Sequence, residues 1–338
     1  MRSPYSLLVW PALAVSAAFW NAGDRTGRAH GEFRVLDSIA LPGVGVFDFL
    51  AIDTLHRHLF VTRTTHIQVV DIDRWAVAAD IPNTPDVHGV AIATALGRGF
   101  SSNAGDSSVL MFDLGSLQAL ARIKIAGAGV DGIVFDPASR RVLTINGKSG
   151  TATAIDGRSG KIVGQIDVGG YGESPTSDGR GQIYVSIKDH NQIAVIDAAK
   201  MRVTARWPLV DCDEPHGISL YARRGRLLVS CQYRSVIIDL TTGRILGSVG
   251  TTGIGDQVAF DASRALTLVP GGGDNGDSLM VIPMNVDRGY QIAQTIKTLE
   301  RAQMVVVDGA THRAFTVGYE PGQSGFANRP ATALVLGK

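Results

Sequence analysis

Seven polar residues occupy the second position of seven short, similar segments, such as "VHGVAIA" from Val87 and "VDGIVFD" from Val130. They are Asp48, His88, Asp131, Glu173, His216, Asp256 and Gln303. Carboxylates and neutral imidazoles bind Zn, Mn or Fe, and with more oxygen donors they suit Ca or Mg. Gathered in one concave site, the carboxylates would raise one another's pKa values unless a cation or a cationic substrate offset them. The set therefore predicts a divalent metal, with every member except Gln303 a candidate ligand.

The segments that position these residues belong to a repeat. Apolar stretches ending in aspartate recur every 41 to 43 residues, at Asp71, Asp113, Asp156, Asp197 and Asp239. A third apolar run precedes each such stretch, as in "RHLFVT" from Arg57, and a fourth follows it, as in "KIVGQIDV" from Lys161. Four short strands per repeat at a period of about 40 residues are typical of one blade of a β-propeller. The seven opening segments predict seven blades.

One repeat carries a family resemblance. The stretch "EPHGISLYARRGRLLVSCQYRSVIIDLTTGRILGSV", from Glu214 to Val249, resembles a repeat of the YVTN, YncE-like family, and weaker copies cover roughly residues 34 to 338. The resemblance implies an all-β, seven-bladed β-propeller with four antiparallel strands per blade. Because that family is functionally mixed, the resemblance implies little about activity.

The two ends of the repeat region are complementary. "FRVLDSIAL" from Phe33 reads as an outermost strand with no repeat before it, and the last repeat ends at "ATALVLGK" without one. We therefore expect the N-terminal strand to complete the C-terminal blade, which leaves no open sheet in the ring. Residues 32–338 are predicted to form this single domain.

In a propeller, the starts of the innermost strands surround the axis on one face. We predict that His88, His216 and Glu173 are the catalytic residues, as ligands or general base, with one or more of the three ring aspartates as further ligands. His88 and His216 lie on nearly opposite blades, so a cluster of His216, Asp256 and Glu173 is an equal alternative. Solvated polar side chains at a wet channel mouth are the plain alternative.

The loops after the second strand of each blade reach the same face and supply candidate substrate-binding residues. These are Arg63, Asn103, Asn146, Lys188, Gln232 and Tyr319, together with Gln303 of the ring. Two long loops, "PGGGDNGDS" from Pro270 and "GYEPGQSGFANRPAT" from Gly318, are candidate lids.

Cys212 lies just before His216. Cys231 ends the strand that we expect to pair antiparallel with the strand that His216 begins. In an exported protein we expect a disulfide between them, stabilising the fold by about 3 kcal/mol. Copper or zinc held by Cys and His is the alternative.

The N-terminus predicts export. Met1 and Arg2 precede an apolar stretch from Tyr5 to Trp20 and a polar exit, so residues 1–31 read as a secretory signal. The apolar stretch is short for a membrane span, so we expect no stable membrane span after processing. The predicted location is periplasmic or secreted.

Composition and missing motifs exclude several function classes. Lys plus Arg (32) nearly balances Asp plus Glu (31), which gives no field that favours nucleic acid. The sequence lacks Cys-x-x-Cys-His, and its glycine-rich run "GGGDNGD" lacks the Lys-Ser or Lys-Thr of a phosphate loop. We therefore expect no haem and no nucleotide.

Two functions follow from these features. The first is a monomeric exported propeller that binds a small-molecule ligand through a divalent metal at the channel mouth. The ring is similar in kind to those of propeller lactonases and lyases, and this resemblance implies a metal-assisted lactonase-like hydrolase or a lyase. The second is a non-catalytic scaffold for an envelope protein.

Overall fold

The structure is a computed structural model that describes residues 32–272, 277–321, 325 and 328–338. The predicted signal segment 1–31 and the central parts of both candidate lids lie outside the described residues. Residues 33–338 cluster as one unit.

Hydrophobic patterning separates the middle strands from the outer ones. The middle strands are buried on both faces, as in "HIQVVD" from His66 to Asp71, because each sheet is covered by a blade on either side. Outer strands alternate exposed and half-buried residues, as in "AVAADI" from Ala76 to Ile81. This alternation is the pattern of a strand that faces solvent on one side.

Seven four-stranded antiparallel sheets form the blades. Blade 1 contains β2 (Phe47–Asp53), β3 (His58–Arg63), β4 (His66–Asp71) and β5 (Ala76–Ile81). Blade 2 contains β6 (Val87–Ala93), β7 (Arg98–Asn103), β8 (Ser108–Asp113) and β9 (Ala119–Lys124). Blade 3 contains β10 (Val130–Asp136), β11 (Arg141–Asn146), β12 (Thr151–Asp156) and β13 (Ile162–Asp167). Blade 4 contains β14 (Gly172–Ser177), β15 (Gln182–Ile187), β16 (Gln192–Asp197) and β17 (Arg202–Pro208).

The remaining three blades follow the same order. Blade 5 contains β18 (Ile218–Tyr221), β19 (Arg226–Cys231), β20 (Arg234–Asp239) and β21 (Ile245–Gly250). Blade 6 contains β22 (Ala259–Asp261), β23 (Leu266–Pro270), β24 (Ser278–Pro283) and β25 (Gln294–Lys297). Blade 7 contains β26 (Val305–Val307), β27 (Ala314–Gly318), β28 (Ala331–Gly337) and, from the other end of the chain, β1 (Arg34–Leu41).

Helical structure in the described part of the chain is confined to turns. Short 3-10 helices span Thr94–Leu96, Gly147–Ser149, Lys188–His190 and Ala222–Arg224. None of the helices described has the length and apolarity that a bilayer crossing requires.

The predicted closure is confirmed. Strand β1 pairs antiparallel with β28, from Arg34 opposite Gly337 to Leu41 opposite Ala331. Ile39 and Leu41 enter the core between blades 7 and 1, where they are 3% and 0% exposed. The protein is a seven-bladed β-propeller whose last sheet joins both ends of the chain.

Candidate functional site

Each residue of the mouth ring, the set of seven defined above, lies at or just before the start of an innermost strand. In blade 1, Phe47 pairs with Arg63, and the register shifts before Leu50 pairs with Val61. The same shift follows the first residue of β6, β10 and β14. Because a bulge re-aims side chains, it releases Asp48 and its counterparts from the ladder at the channel mouth.

A hydroxyl on the second strand occupies the bulge. Thr62 Oγ1 accepts the Asp48 amide hydrogen at 3.1 Å and donates to the Phe49 carbonyl at 3.1 Å. Ser102 Oγ accepts from the Gly89 amide at 2.9 Å in blade 2. Sequence reasoning missed this support, although a Thr or Ser just before the end of the second strand was its signal.

Three ring residues from adjacent blades converge. One ligand atom from each of Asp48, His88 and Asp131 lies within 4.8 Å of the others. His88 Nδ1 is 2.6 Å from Asp48 Oδ2 and 3.4 Å from Asp131 Oδ1, and its Nε2 is 3.8 Å from Asp86 Oδ2. Asp131 Oδ1 is buried without a hydrogen bond from the described residues. We call these three residues the triad cluster.

Electrostatics shows how crowded the triad cluster is. Burial and the charge of Glu173 raise the pKa of Asp131 to about 8. Burial also raises the pKa of Asp48, against its hydrogen bond to His88. For His88 burial opposes protonation, but the hydrogen bond to Asp48 and the nearby aspartates outweigh it and raise the pKa to about 9. With both carboxylates ionised the cluster carries excess negative charge, which a cation would offset.

Glu173 is paired with a lysine. Lys188 Nζ lies 2.7 Å from Glu173 Oε2 and 4.2 Å from the centre of the Tyr171 ring. The ion pair raises the pKa of Lys188 although burial opposes this. Glu173 therefore has a positive partner, whereas the triad cluster has only His88.

The inner strands pack closely at the level of the ring. A Cβ on Gly132 would lie 2.2 Å from the Glu173 carbonyl oxygen, so only glycine fits there. Ser174 Oγ donates to the Asp256 carbonyl at 3.3 Å, which links blades 4 and 6. Burial and the neighbouring acids Asp48 and Glu173 raise the pKa of Asp256 to about 7, against the charge of His216.

His216 is held away from the triad cluster. Its Nδ1 lies 2.7 Å from the Glu214 carbonyl oxygen, to which it donates, and its amide donates to Ser230 O at 2.9 Å. A disulfide joins Cys212 to Cys231, with Cα atoms 5.3 Å apart, and anchors the loop before His216. His216 and Asp256 therefore stay outside the convergent set of three.

A cavity of about 280 Å³ lies beside the triad cluster, between blades 6, 7 and 1. Asp48, Asp256 and Gln303 line it together with Phe47 and Tyr319. The two aromatic ring centroids are 4.9 Å apart. A small molecule in this cavity would contact the mouth ring at Asp48, Asp256 and Gln303.

The other candidate substrate-binding residues lie in different surroundings. Asn103 and Asn146 are fully buried, and their amides bind hydroxyls of their own blades. Arg63 is 1% exposed and donates to a glutamine at 2.9 Å. Gln232 is exposed in the turn after β19. Among these loop residues, Tyr319 reaches the cavity.

Two residues of the site were missed. Asp86 stands two positions before His88, as Glu214 does before His216, and both adopt a positive φ near 50°. An acidic residue two positions before a histidine was the available signal. Tyr171, which supports Lys188, carries no such pattern.

Comparison with known proteins shows the fold. No family model and no curated protein match the chain. The structural match to a chain of the mitotic checkpoint complex covers 97% of this chain and 99% of that chain, with a TM-score of 0.75 and 14% sequence identity. The RRP9 WD40 repeats cover 90% and 100%, with TM-score 0.75 and 12% identity. Hydrazine synthase of Kuenenia stuttgartiensis covers 86% and 95%, with TM-score 0.72 and 14% identity.

At these identities the likeness extends to the propeller fold alone. The mouth ring therefore has to be interpreted from its own geometry. The YVTN-type assignment and the catalytic and substrate-binding roles stay predictions.

Proposed function

We propose that this propeller binds one divalent metal ion through Asp48, His88 and Asp131 and uses it to hold and activate a small molecule at the channel mouth. The observation that carries the proposal is the convergence of three ligand atoms within 4.8 Å. Protein sites that keep positions open for water or substrate commonly use three protein ligands. One imidazole and two carboxylates suit Zn or Mn.

The distances from His88 in the triad cluster can be compared with those of a metal site. In a tetrahedral site with bonds of about 2.1 Å, neighbouring ligand atoms lie about 3.4 Å apart. His88 Nδ1 and Asp131 Oδ1 are already 3.4 Å apart, and Asp48 Oδ2 is closer to His88, at 2.6 Å. A metal would replace the proton that now links Asp48 to His88.

A metal in this place would polarise a carbonyl group or activate a water molecule. The reaction classes proposed are hydrolysis, including lactone opening, and elimination. Asp256 and the Glu173–Lys188 pair, which flank the triad cluster, are the groups placed to exchange protons with the substrate. We also propose that the chain is an exported, YVTN-type propeller, for which the disulfide and the signal-like N-terminus are the support.

Metal titration tests the proposal. We expect Zn²⁺ or Mn²⁺ to bind the chelator-treated full chain with a stoichiometry of about one, and His88→Gln to weaken binding by at least about 100-fold, because a ligand is lost. The matched control is His190→Gln, which removes an exposed histidine that also pairs with an aspartate, at 2.8 Å. Equal binding by the two variants in calorimetry would refute the site.

A second candidate function is a protein-interaction scaffold. The solved propellers similar to this chain include a chain of the mitotic checkpoint complex. On this chain, Val210 and Tyr233 flank the disulfide loop on the mouth face and are 68% and 54% exposed. This candidate predicts no metal at the triad cluster, so the same titration separates the two functions.

A further inference from the structure

The cavity beside the triad cluster combines two acids with an apolar wall. Asp48 and Asp256 line it together with the apolar side chains of Phe47, Met304 and Tyr319. Its volume of about 280 Å³ corresponds to roughly nine molecules of the size of water, so it fits a ligand of about eight to ten non-hydrogen atoms.

The carboxylate of Asp256 is the group that a ligand can satisfy. It accepts no hydrogen bond from the described residues. Burial raises its pKa, and the like charges of Asp48 and Glu173 raise it further. The cations that act on Asp256 are His216 and Lys188. His216 donates to the Glu214 carbonyl and Lys188 pairs with Glu173, and neither forms an ion pair with Asp256. The Asp256 carboxylate is therefore open to a positively charged donor from a ligand.

An organic ammonium group meets this need. It supplies one positive charge and three hydrogen-bond donors, and aromatic faces attract it further. Arg301 lines the same cavity and disfavours a second positive charge on the ligand. A carboxylate placed at Asp256 would be repelled by Asp48 and Asp256, and Arg301 is the cavity residue that would attract it.

We propose that this cavity binds a small primary ammonium ion with an aromatic or branched apolar body, its nitrogen at Asp256 and its body against Phe47 and Tyr319. The inference rests on the proposed function, because it names the ligand class for the same mouth site. The metal uses Asp48, His88 and Asp131, and the ammonium group uses Asp256, so one chain has room for both.

The test compares three probes of similar size: benzylamine, benzyl alcohol and benzoate. Each is titrated into the full chain at pH 8 with the metal content of the same sample measured. We expect benzylamine to bind at least tenfold more tightly than benzyl alcohol, because a charge-assisted hydrogen bond is gained, and benzoate to bind most weakly.

Asp256→Asn should weaken benzylamine binding about tenfold or more and leave metal affinity unchanged. The control Asp211→Asn removes an exposed carboxylate from the same face, outside the cavity, and should change neither. The inference would be overturned if benzyl alcohol or benzoate bound the parent protein as tightly as benzylamine, or if benzylamine did not bind. Both comparisons use the parent protein, so they do not depend on how a variant folds. Metal binding without amine binding would refute only this inference. Amine binding without metal would refute only the proposed function.

Discussion

Replacing Leu41 by aspartate is expected to lower the free energy of unfolding by more than about 4 kcal/mol, because it buries an unpaired charge in the closing blade. Leu41 is 0% exposed and ends the strand that joins the N-terminus to blade 7, opposite Ala331. Its side chain packs in the core shared with blade 1. The effect should be large because this pairing is what closes the ring.

The control for this variant is the neighbouring residue. Ala40 lies in the same strand and is exposed, so Ala40→Asp adds the same charge on the solvent side. We expect Ala40→Asp to change stability by less than about 0.5 kcal/mol. Urea denaturation of both variants decides the matter. Equal midpoints would mean that β1 does not hold the ring closed.

Metal-free protein should lose roughly 3 kcal/mol of stability between pH 6.5 and pH 9. The pKa of His88 is raised to about 9, so its stabilising proton is fully bound below pH 6.5 and lost as the pH approaches 9. The pKa of Asp131 is raised to about 8, so unfolded protein ionises first and stability again falls until about pH 8. Both groups therefore change stability in the same direction.

Other groups limit the pH window. Burial lowers the pKa values of His58 and His66, and their contribution rises with pH only below about 6.5. Burial opposes a lower pKa for Asp308, but the hydrogen bonds from Thr311 and Arg57 outweigh it and lower the pKa. The contribution of Asp308 to stability is therefore constant above about pH 5. Asp256, whose pKa burial raises to about 7, adds to the decline only up to about pH 7. The decline above pH 7 is therefore assigned to the triad cluster.

An Asp131→Asn variant should flatten this decline and be more stable than the parent at pH 9 by about 2 kcal/mol, because a repelling charge is removed. Asp211→Asn, exposed on the same face, should leave the slope unchanged. Denaturation midpoints in EDTA at pH 6.5, 8 and 9 measure the effect. A parent protein whose stability is flat or rises across this range would contradict the electrostatics described above.

The architecture followed from the sequence because its signals are local and repeated. Each blade carries the same spacing of apolar runs, and "FRVLDSIAL" at one end supplies the strand that "ATALVLGK" lacks at the other. The seven aligned segments predicted seven sheets, and the complementary ends predicted the closure; the structure has both.

The selection within the mouth ring did not follow from the sequence. Equivalent positions gave the ring seven members, but lateral contacts decide which of them meet. Lys188 forms an ion pair with Glu173, and His216 donates a hydrogen bond to the Glu214 carbonyl. The residues that converge are therefore those of the triad cluster, on blades 1 to 3. Neither partner follows from the period of the repeat.

The loop residues show the same limit. Asn103 and Asn146 read as loop polar groups, yet each ends a buried strand and binds hydroxyls in its own blade. A polar side chain at a strand end can serve the loop or the sheet, and its neighbours decide between them. Here Ser108 on one blade and Thr151 and Thr153 on the other supply the partners that keep these amides in the sheet.

Elemental analysis of the full-length gene product, purified from its native compartment without chelators, tests the central claim most directly. We expect about one divalent metal ion per chain in the parent and in His216→Ala, and almost none in His88→Ala. The two histidines differ because His88 lies 2.6 and 3.4 Å from carboxylate oxygens, whereas His216 binds a backbone carbonyl. A folded, metal-free parent, or metal retained by His88→Ala, would contradict the claim.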